Sequence, residues 1–361
     1  MGRKDKVYMG VLMDKSIIEI NEMLPFVLRL ENIGRYEVDS VVFCDRRKYP
    51  FEQEFMRCRD VESVATAIEQ MVTQGGGPWV IAVYALALQA HRSAGKKREE
   101  VRSDLWNAAD RLMRTRPTNT FLHRSLKKAL QAAEDALRQG EDPEKAILAW
   151  MEPTRQELLQ RSAKMGRFGA DLIDDGDGIL TMCFAETAFL LGLAFAKEDG
   201  KKIRVFVPET RPYLQGAKLT APSVYELEIP VTLITDNMPT YIVSTGRVQK
   251  YFTAADLVTL DGHVVNKIGT FQNALACHYH RVPYFAYAWA PDPNKPNRES
   301  IEMEERNPVE IREAKGVPTT LSEIDAYYPA FDITPPHLVS GVITKFGILS
   351  AYDLARYFGN E

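Results

Sequence analysis

Four short segments set reactive or polar side chains directly after β-rich runs: Thr181-Met182-Cys183, Pro208-Glu209-Thr210-Arg211, Thr235-Asp236-Asn237 and Ala254-Ala255-Asp256. In an open α/β sheet, ligands bind beyond the carboxyl ends of the strands, so these segments are where chemistry is expected. Cys183 is expected where a strand gives way to a helix. A helix amino terminus stabilises a thiolate, which would bring this thiol towards neutrality and make it an acid/base group. The plainer alternative is a small buried apolar residue. Asp256 lies in an apolar stretch, and an apolar setting keeps a carboxyl protonated and able to donate a proton. Its alternative is a turn or helix-cap aspartate.

Binding groups come from three other places. Asn266-Lys267 is expected to open a helix after the turn at Asp261-Gly262. Helix amides and a lysine ammonium can share a phosphate there, or the pair can be a plain cap beside a solvated lysine. Arg116, in Thr115-Arg116-Pro117-Thr118-Asn119, can reach the same phosphate or close a surface turn. The loop Gly75-Gly76-Gly77-Pro78 precedes a helix, so Gly76 and Gly77 suit either an anion cradle or a hinge. Cys277 and His280 lack a second ligand pair, so no metal is expected. Neither G-x-G-x-x-G after a strand nor G-x-x-x-x-G-K-[ST] occurs, and dinucleotide and P-loop readings lose their support.

The elements that must position these residues fall into two parts. Residues 1–157 read as mainly helical after a short strand-rich start, with strands expected at Phe26–Arg29 and Val38–Cys44. Helices are expected at Val61–Val72, Trp79–His91, Glu99–Met113, Thr120–Arg138 and Pro143–Met165. From about residue 158 to 361, after the Asp/Gly-rich loop at Asp174–Gly178, strand and helix alternate. Strands are expected at Ile179–Cys183, Ile203–Val207, Val231–Ile234, Tyr251–Ala254 and Tyr284–Tyr287. Helical stretches are expected between them, including Asn266–Tyr279. Such alternation implies a parallel sheet with helices on both faces, an α/β domain.

Length and composition bound what such a protein can do. A chain of 361 residues is long enough for two cores. Its formal charge of −4 gives no reason to expect nucleic acid or an anionic membrane as partner, so any phosphate site must be local. No apolar run approaches a bilayer span and no signal-like segment opens the sequence. The four cysteines show no framework spacing, which favours reduced thiols and a cytoplasmic location.

Several blocks resemble methylthioribose-1-phosphate isomerases. Pro208–Ala221 is similar to their ETRP-x-LQGARLTA stretch and Val231–Met238 to VTLITDNM. Ala255-Asp256 with Asn266-Lys267-Ile268-Gly269-Thr270 resembles the GAD…NKIGT block. Glu304–Pro308, Phe331–Pro335 and Thr115–Thr118 match further motifs. That family is also similar to the regulatory subunits of the eukaryotic initiation-factor nucleotide exchanger and to ribose-1,5-bisphosphate isomerase. The resemblance implies a small, mostly helical N-terminal domain plus a Rossmann-like parallel-sheet C-terminal domain. It further implies a homodimer, a sugar-phosphate substrate and aldose–ketose isomerisation without a cofactor. Cys183 and Asp256 stand at the family's catalytic positions, and Arg116, Gln215, Asn266 and Lys267 at substrate-binding ones. Two segments depart from the pattern. The family's Arg-Gly-Ala-Pro loop is here Gly75-Gly76-Gly77-Pro78, without the arginine, and Phe184-Ala185-Glu186-Thr187 replaces Asn-Ala-Gly.

Overall fold

A computed structural model describes residues 15–117 and 119–359 of the chain. Thr118 of the Thr115–Thr118 motif and the opening Met1–Lys6 lie outside the described residues. Two compact units are present, one of Ile17–Gln160 and one built on Arg161–Glu361.

The first unit joins a three-stranded antiparallel sheet to a set of helices. The sheet runs β1 (Arg35–Glu37), β2 (Ser40–Cys44) and β3 (Phe55–Cys58), with β2 in the centre. The helix Gly77–Arg92 is the axis of the unit, buried along nearly its whole length from Trp79 to Leu88. A helix apolar on every side has to be enclosed, and Val61–Glu69, Arg98–Arg114 and Thr120–Gln139 pack around it. Sequence signals set the ends of its neighbours. Asp60 and Ser63 form a capping box before Val61, and the Asn119 side chain accepts from the Leu122 amide at 2.9 Å. Gly140 closes Thr120–Gln139 in the left-handed region at φ 74°. The strand expected at Phe26–Arg29 is instead a 3-10 turn at Phe26–Leu28. Val27 and Leu28 are buried side by side, which a half-buried strand with alternating faces does not allow.

The second unit is mixed α/β around a mostly parallel sheet. Its strands are β4 (Gly178–Leu180), β5 (Arg204–Pro208), β6 (Val231–Ile234), β7 (Lys250–Ala254), β10 (Tyr284–Tyr287), β14 (Gly341–Thr344) and β15 (Gly347–Leu349). They lie in the order β6-β5-β4-β7-β10-β14-β15. Every neighbouring pair is parallel except β14 with β15. The chain winds outward from β4 through β5 to β6, then returns to start the other half at β7. Between β4 and β7 the winding reverses, the kind of place beyond the strand ends where α/β sheets hold ligands. A small antiparallel sheet of β8 (Leu257–Val258), β9 (Val264–Lys267) and β13 (Phe331–Thr334) follows β7 in space as β13-β9-β8. An outlying hairpin pairs β11 (Glu313–Ala314) with β12 (Val317–Pro318).

One expected element changes type. Asn266 and Lys267 do not open a helix but end β9, paired with Asp332 and Phe331, and the helix begins only at Thr270. The run Val264-Val265-Asn266-Lys267 is wholly buried, so it has no polar alternation to mark it as a strand. Gly269, at φ 102°, makes the turn from strand to helix.

Candidate active site

Cys183 follows β4 and Asp256 follows β7, the two strands flanking the reversal. The loop bearing Cys183 is held from two sides. Its amide donates to Thr210 Oγ1 at 3.2 Å, and its carbonyl accepts from Thr220 Oγ1 at 2.5 Å. Asp236, after β6, accepts the Thr210 and Arg211 amides on its two carboxylate oxygens at 2.7 Å each. Thus three of the four polar strand-end segments form one hydrogen-bonded layer. Cys183, Glu186, Thr210 and Leu214 all have φ between 59° and 64°, a sparsely populated region for residues other than glycine. Strain concentrated in this way is maintained only where surrounding bonds over-determine it, and it gathers at functional sites.

The turn after Thr210 carries Gln215. It runs into a π-helical stretch, Gly216–Thr220, before the helix Ala221–Glu226. A Cβ at Gly216 would stand 1.8 Å from the Pro208 carbonyl oxygen, so only glycine lets the turn come this close to β5. Gln215 is buried, and its Oε1 accepts no hydrogen bond among the described residues. An acceptor left in that condition suits a donor brought by a ligand.

Lys267 is the more telling case. The residue is 3% exposed, and its Nζ has no hydrogen-bond partner among the described residues. Three rings surround the ammonium instead: Phe331 at 5.0 Å, Tyr328 at 5.8 Å and Tyr213 at 5.9 Å from their centroids. Such cation–π contacts replace part of the lost hydration only. Burial therefore pulls the ammonium below its usual range, against the opposing pull of Cys183, Asp256 and Glu304. Its neighbour Asn266 is buried and donates to Thr270 Oγ1 at 3.0 Å.

The amides at the start of the Thr270 helix are not open to a phosphate as expected. Asp332 takes the Gly269 amide at 2.7 Å and the Phe271 amide at 3.1 Å. A strand partner thus fills the anion position that the sequence assigned to a ligand. Lys267 remains as the positive group for an anion.

Cys183 also departs from expectation. The following helix starts at Glu186, with Ala185 as its cap, so the thiol is not at a helix terminus. Burial pushes the thiol up to about 11, and the Asp256 charge adds to the rise. Lys267, the Phe184 amide and Arg306 pull the other way and lose. The sulfur therefore carries its proton at neutral pH. Asp256, just past β7, is exposed to solvent at its edge yet has protein on most sides of its carboxyl. That enclosure raises its carboxyl, with Lys267 and Arg306 opposing and Glu304 assisting. Cys183, Asp256 and Lys267 thus sense one another directly.

Arg306 belongs to the same cluster, although the sequence showed it only as part of a motif. Its guanidinium lies over Tyr213 at 5.4 Å and Phe331 at 5.6 Å, and its Nε donates to Glu304 at 2.7 Å. Tyr213 and Phe331 likewise stood only as members of motif blocks, and Tyr328 was unmarked, because an isolated aromatic resembles core.

Gly76, Gly77 and Arg116 belong to the other unit. Gly76 precedes the helix that starts at Gly77, and a Cβ on Gly77 would meet Thr73 Oγ1 at 1.9 Å. Arg116 Nη2 donates to the Ile68 carbonyl at 2.9 Å and also contacts Met71 Sδ.

A sequence model of the initiation factor 2 subunit family matches residues 78–351. The chain belongs to that family. It is 36% identical over 319 residues to the putative methylthioribose-1-phosphate isomerase of Methanocaldococcus jannaschii, covering 86% of this chain and 92% of that one. To the methylthioribose-1-phosphate isomerase of Chloroflexus aurantiacus it is 35% identical over 332 residues, covering 89% and 95%. The crystal structure of 5-methylthioribose 1-phosphate isomerase from Pyrococcus horikoshii superposes with a TM-score of 0.83 at 28% identity, over 96% of this chain and all of that one. The delta subunit of translation initiation factor eIF-2B from A. fulgidus gives 0.77 at 32% identity, over 88% and 95%. Among the described residues no helix is long and apolar enough to cross a membrane.

Proposed function

We propose that this family member is an aldose–ketose isomerase that converts 5-methylthioribose 1-phosphate into 5-methylthioribulose 1-phosphate, a step of methionine salvage. The observation that carries the reading is the buried Lys267 Nζ, without a hydrogen-bond partner among the described residues, set beside an acid/base pair, Cys183 and Asp256. A phosphate dianion supplies the missing partner of the lysine, and the pair meets the requirement for moving a proton. The names of the relatives at about 35% identity support the same assignment.

The chemistry needs two groups. A sugar 1-phosphate is locked as a phosphoacetal, so the ring must open before hydrogen can move from C2 to C1. Asp256, its carboxyl raised, donates a proton to the ring oxygen as the C1–O bond breaks. The Asp256 carboxylate so formed takes the C2 proton, and the Cys183 thiol gives its own proton to C1 while its sulfur recovers that of the C2 hydroxyl. Atoms and charges then balance, and both groups end as they began. The mutual influence of the pair fits these roles, because the thiol is raised partly by an ionised Asp256. Once Asp256 has taken the C2 proton its charge is gone, and Cys183 gives up its own proton more easily. The aromatic walls restrict water around the opened sugar.

Gln215, Asn266 and Lys267 are assigned to the substrate, as are Gly76, Gly77 and Arg116 of residues 1–157. The C-terminal part, 158–361, is taken as a Rossmann-like catalytic domain because its strand order matches the dinucleotide-fold order. We assign a cytoplasmic homodimer. Exposed Leu233, Met238, Tyr241, Leu275 and Tyr279 support self-association.

Cys183→Ala and Asp256→Asn are each expected to lower turnover at least about 10²-fold, as removal of a general acid or base does, with folding retained. Proton NMR of the ketose product measures this. Near-normal turnover in either variant removes that residue from the mechanism. A non-catalytic sugar-phosphate sensor, the second reading suggested by the eIF-2B subunit likeness, requires turnover to be absent from the wild type as well.

A further inference from the structure

We propose that Arg306 is a positioning residue of the anion site, sharing the Tyr213 and Phe331 rings with Lys267 and setting a positive charge beside its amine, so that arrival of the substrate's phosphate is accompanied by uptake of a proton at Lys267 Nζ. The inference rests on the isomerase reading for the identity of the anion, but not for the existence of the site.

The geometry is unusual for two cations. Tyr213 and Phe331 each have Lys267 Nζ and the Arg306 guanidinium within 6 Å of their centroids. Only Arg306 has a carboxylate bonded to it, Glu304 at 2.7 Å. Lys267 Nζ has none among the described residues. The charged and titratable groups facing Lys267 come from six places. They are Cys183 after β4, Asp256 after β7, Glu304 and Arg306 on the segment before residue 309, Asp332 on β13, and the phenols of Tyr213 and Tyr328. Burial is the largest influence on Lys267 and favours the neutral amine, and Arg306 acts in the same direction. Cys183 counts against them only as thiolate, and that thiol stays protonated until about pH 11. Its opposing charge is therefore missing at neutrality.

A dianion entering the cage reverses the balance, because its charge favours the ammonium strongly at short range. Between the lowered value in the protein alone and the higher one of the complex, binding must draw a proton from the buffer acid. The amine becomes the ammonium, the buffer acid becomes its conjugate base, and the bound anion is unchanged. Arg306 thereby keeps Lys267 low in charge until an anion is present.

Sulfate is the suitable probe, since it is a dianion that does not itself titrate near neutrality. Calorimetry of sulfate binding to the full chain, in two buffers of different ionisation enthalpy across about pH 7–10, counts the protons taken up. The expected result is uptake approaching one proton per site, absent in Lys267→Met. It falls by at least half at the same pH in Arg306→Gln and is kept in Arg306→Lys, which retains the charge. Three outcomes overturn the proposal: no sulfate binding, binding in the wild type without buffer dependence, or undiminished uptake in Lys267→Met or Arg306→Gln. The wild-type result decides even where Arg306→Gln does not fold. Turnover of 5-methylthioribose 1-phosphate without proton uptake sinks this inference alone. Proton uptake with no turnover sinks the isomerase reading alone.

Discussion

At the scale of single residues, Lys267 carries the proposed anion site because of what its Nζ lacks. A buried lysine usually ends on a carboxylate or reaches water, since leaving an ammonium without either is costly. Here the Nζ ends among three rings. Lys267→Met keeps the apolar stem and removes the charge. It is expected to raise KM by about 10- to 100-fold, the equivalent of a charge-assisted contact worth roughly 1.5–3 kcal/mol. Sulfate should compete with substrate in the wild type and lose this competition in the variant. Steady-state kinetics check both, and an unchanged KM contradicts the phosphate assignment. Lys267, Cys183 and Asp256 could be picked out of the sequence because each stands in a distinctive block. Arg306 could not, since its value lies in the two rings beneath it. The protonation state of Cys183 was also illegible, because it depends on where the helix begins and on how much protein encloses the sulfur.

At the scale of elements, the parallel strands were the most legible part. Val231–Ile234 and Tyr284–Tyr287 fall where the β-branched and aromatic runs put them. The misread stretch, Asn266–Lys267, shows the limit of periodicity. A fully buried strand joined by a tight glycine turn to a helix reads as one continuous apolar helix. The same junction yields a prediction about pH. Burial lifts the Asp332 carboxyl to about 6, despite the Phe271 and Gly269 amides that pull it down. A carboxyl raised in the folded state binds its proton more tightly there than in the unfolded chain. Its contribution to stability is therefore fully present below about pH 3.8 and is lost as pH rises through about 6. Asp332→Asn removes that titration. The stability of the wild type relative to Asp332→Asn is expected to rise as pH falls from about 7 to 4. Urea unfolding at the two pH values measures it, and a difference that is flat or of opposite sign refutes the assignment.

At the scale of the whole molecule, strand order turns scattered residues into a site. Cys183 and Asp256 are far apart in the chain but follow the two strands at the reversal. Alternation of strand and helix announced a parallel sheet, whereas the order of its strands required the structure, because crossover lengths alone do not say on which side each strand joins. The seven-stranded sheet spans much of the second unit, while the Gly75–Pro78 loop belongs to the first. The proposed role of that loop makes substrate choice the broadest test. It brings no positive charge, and Trp79 and Val80 behind it are buried and apolar. A second phosphate without a partner would suffer a desolvation penalty of several kcal/mol. A methyl or methylthio group at C5 gains about 0.8 kcal/mol per buried methylene-sized unit. The most direct measurement is kcat/KM of the wild-type chain, followed by proton NMR of ketose formation. Its substrates are 5-methylthioribose 1-phosphate, 5-deoxyribose 1-phosphate and ribose 1,5-bisphosphate. The expected result is ketose 1-phosphate from the two apolar-tailed sugars, methylthioribose foremost, with the bisphosphate clearly poorer. Absence of ketose from all three, or a bisphosphate value equal to or above both others, would contradict the account.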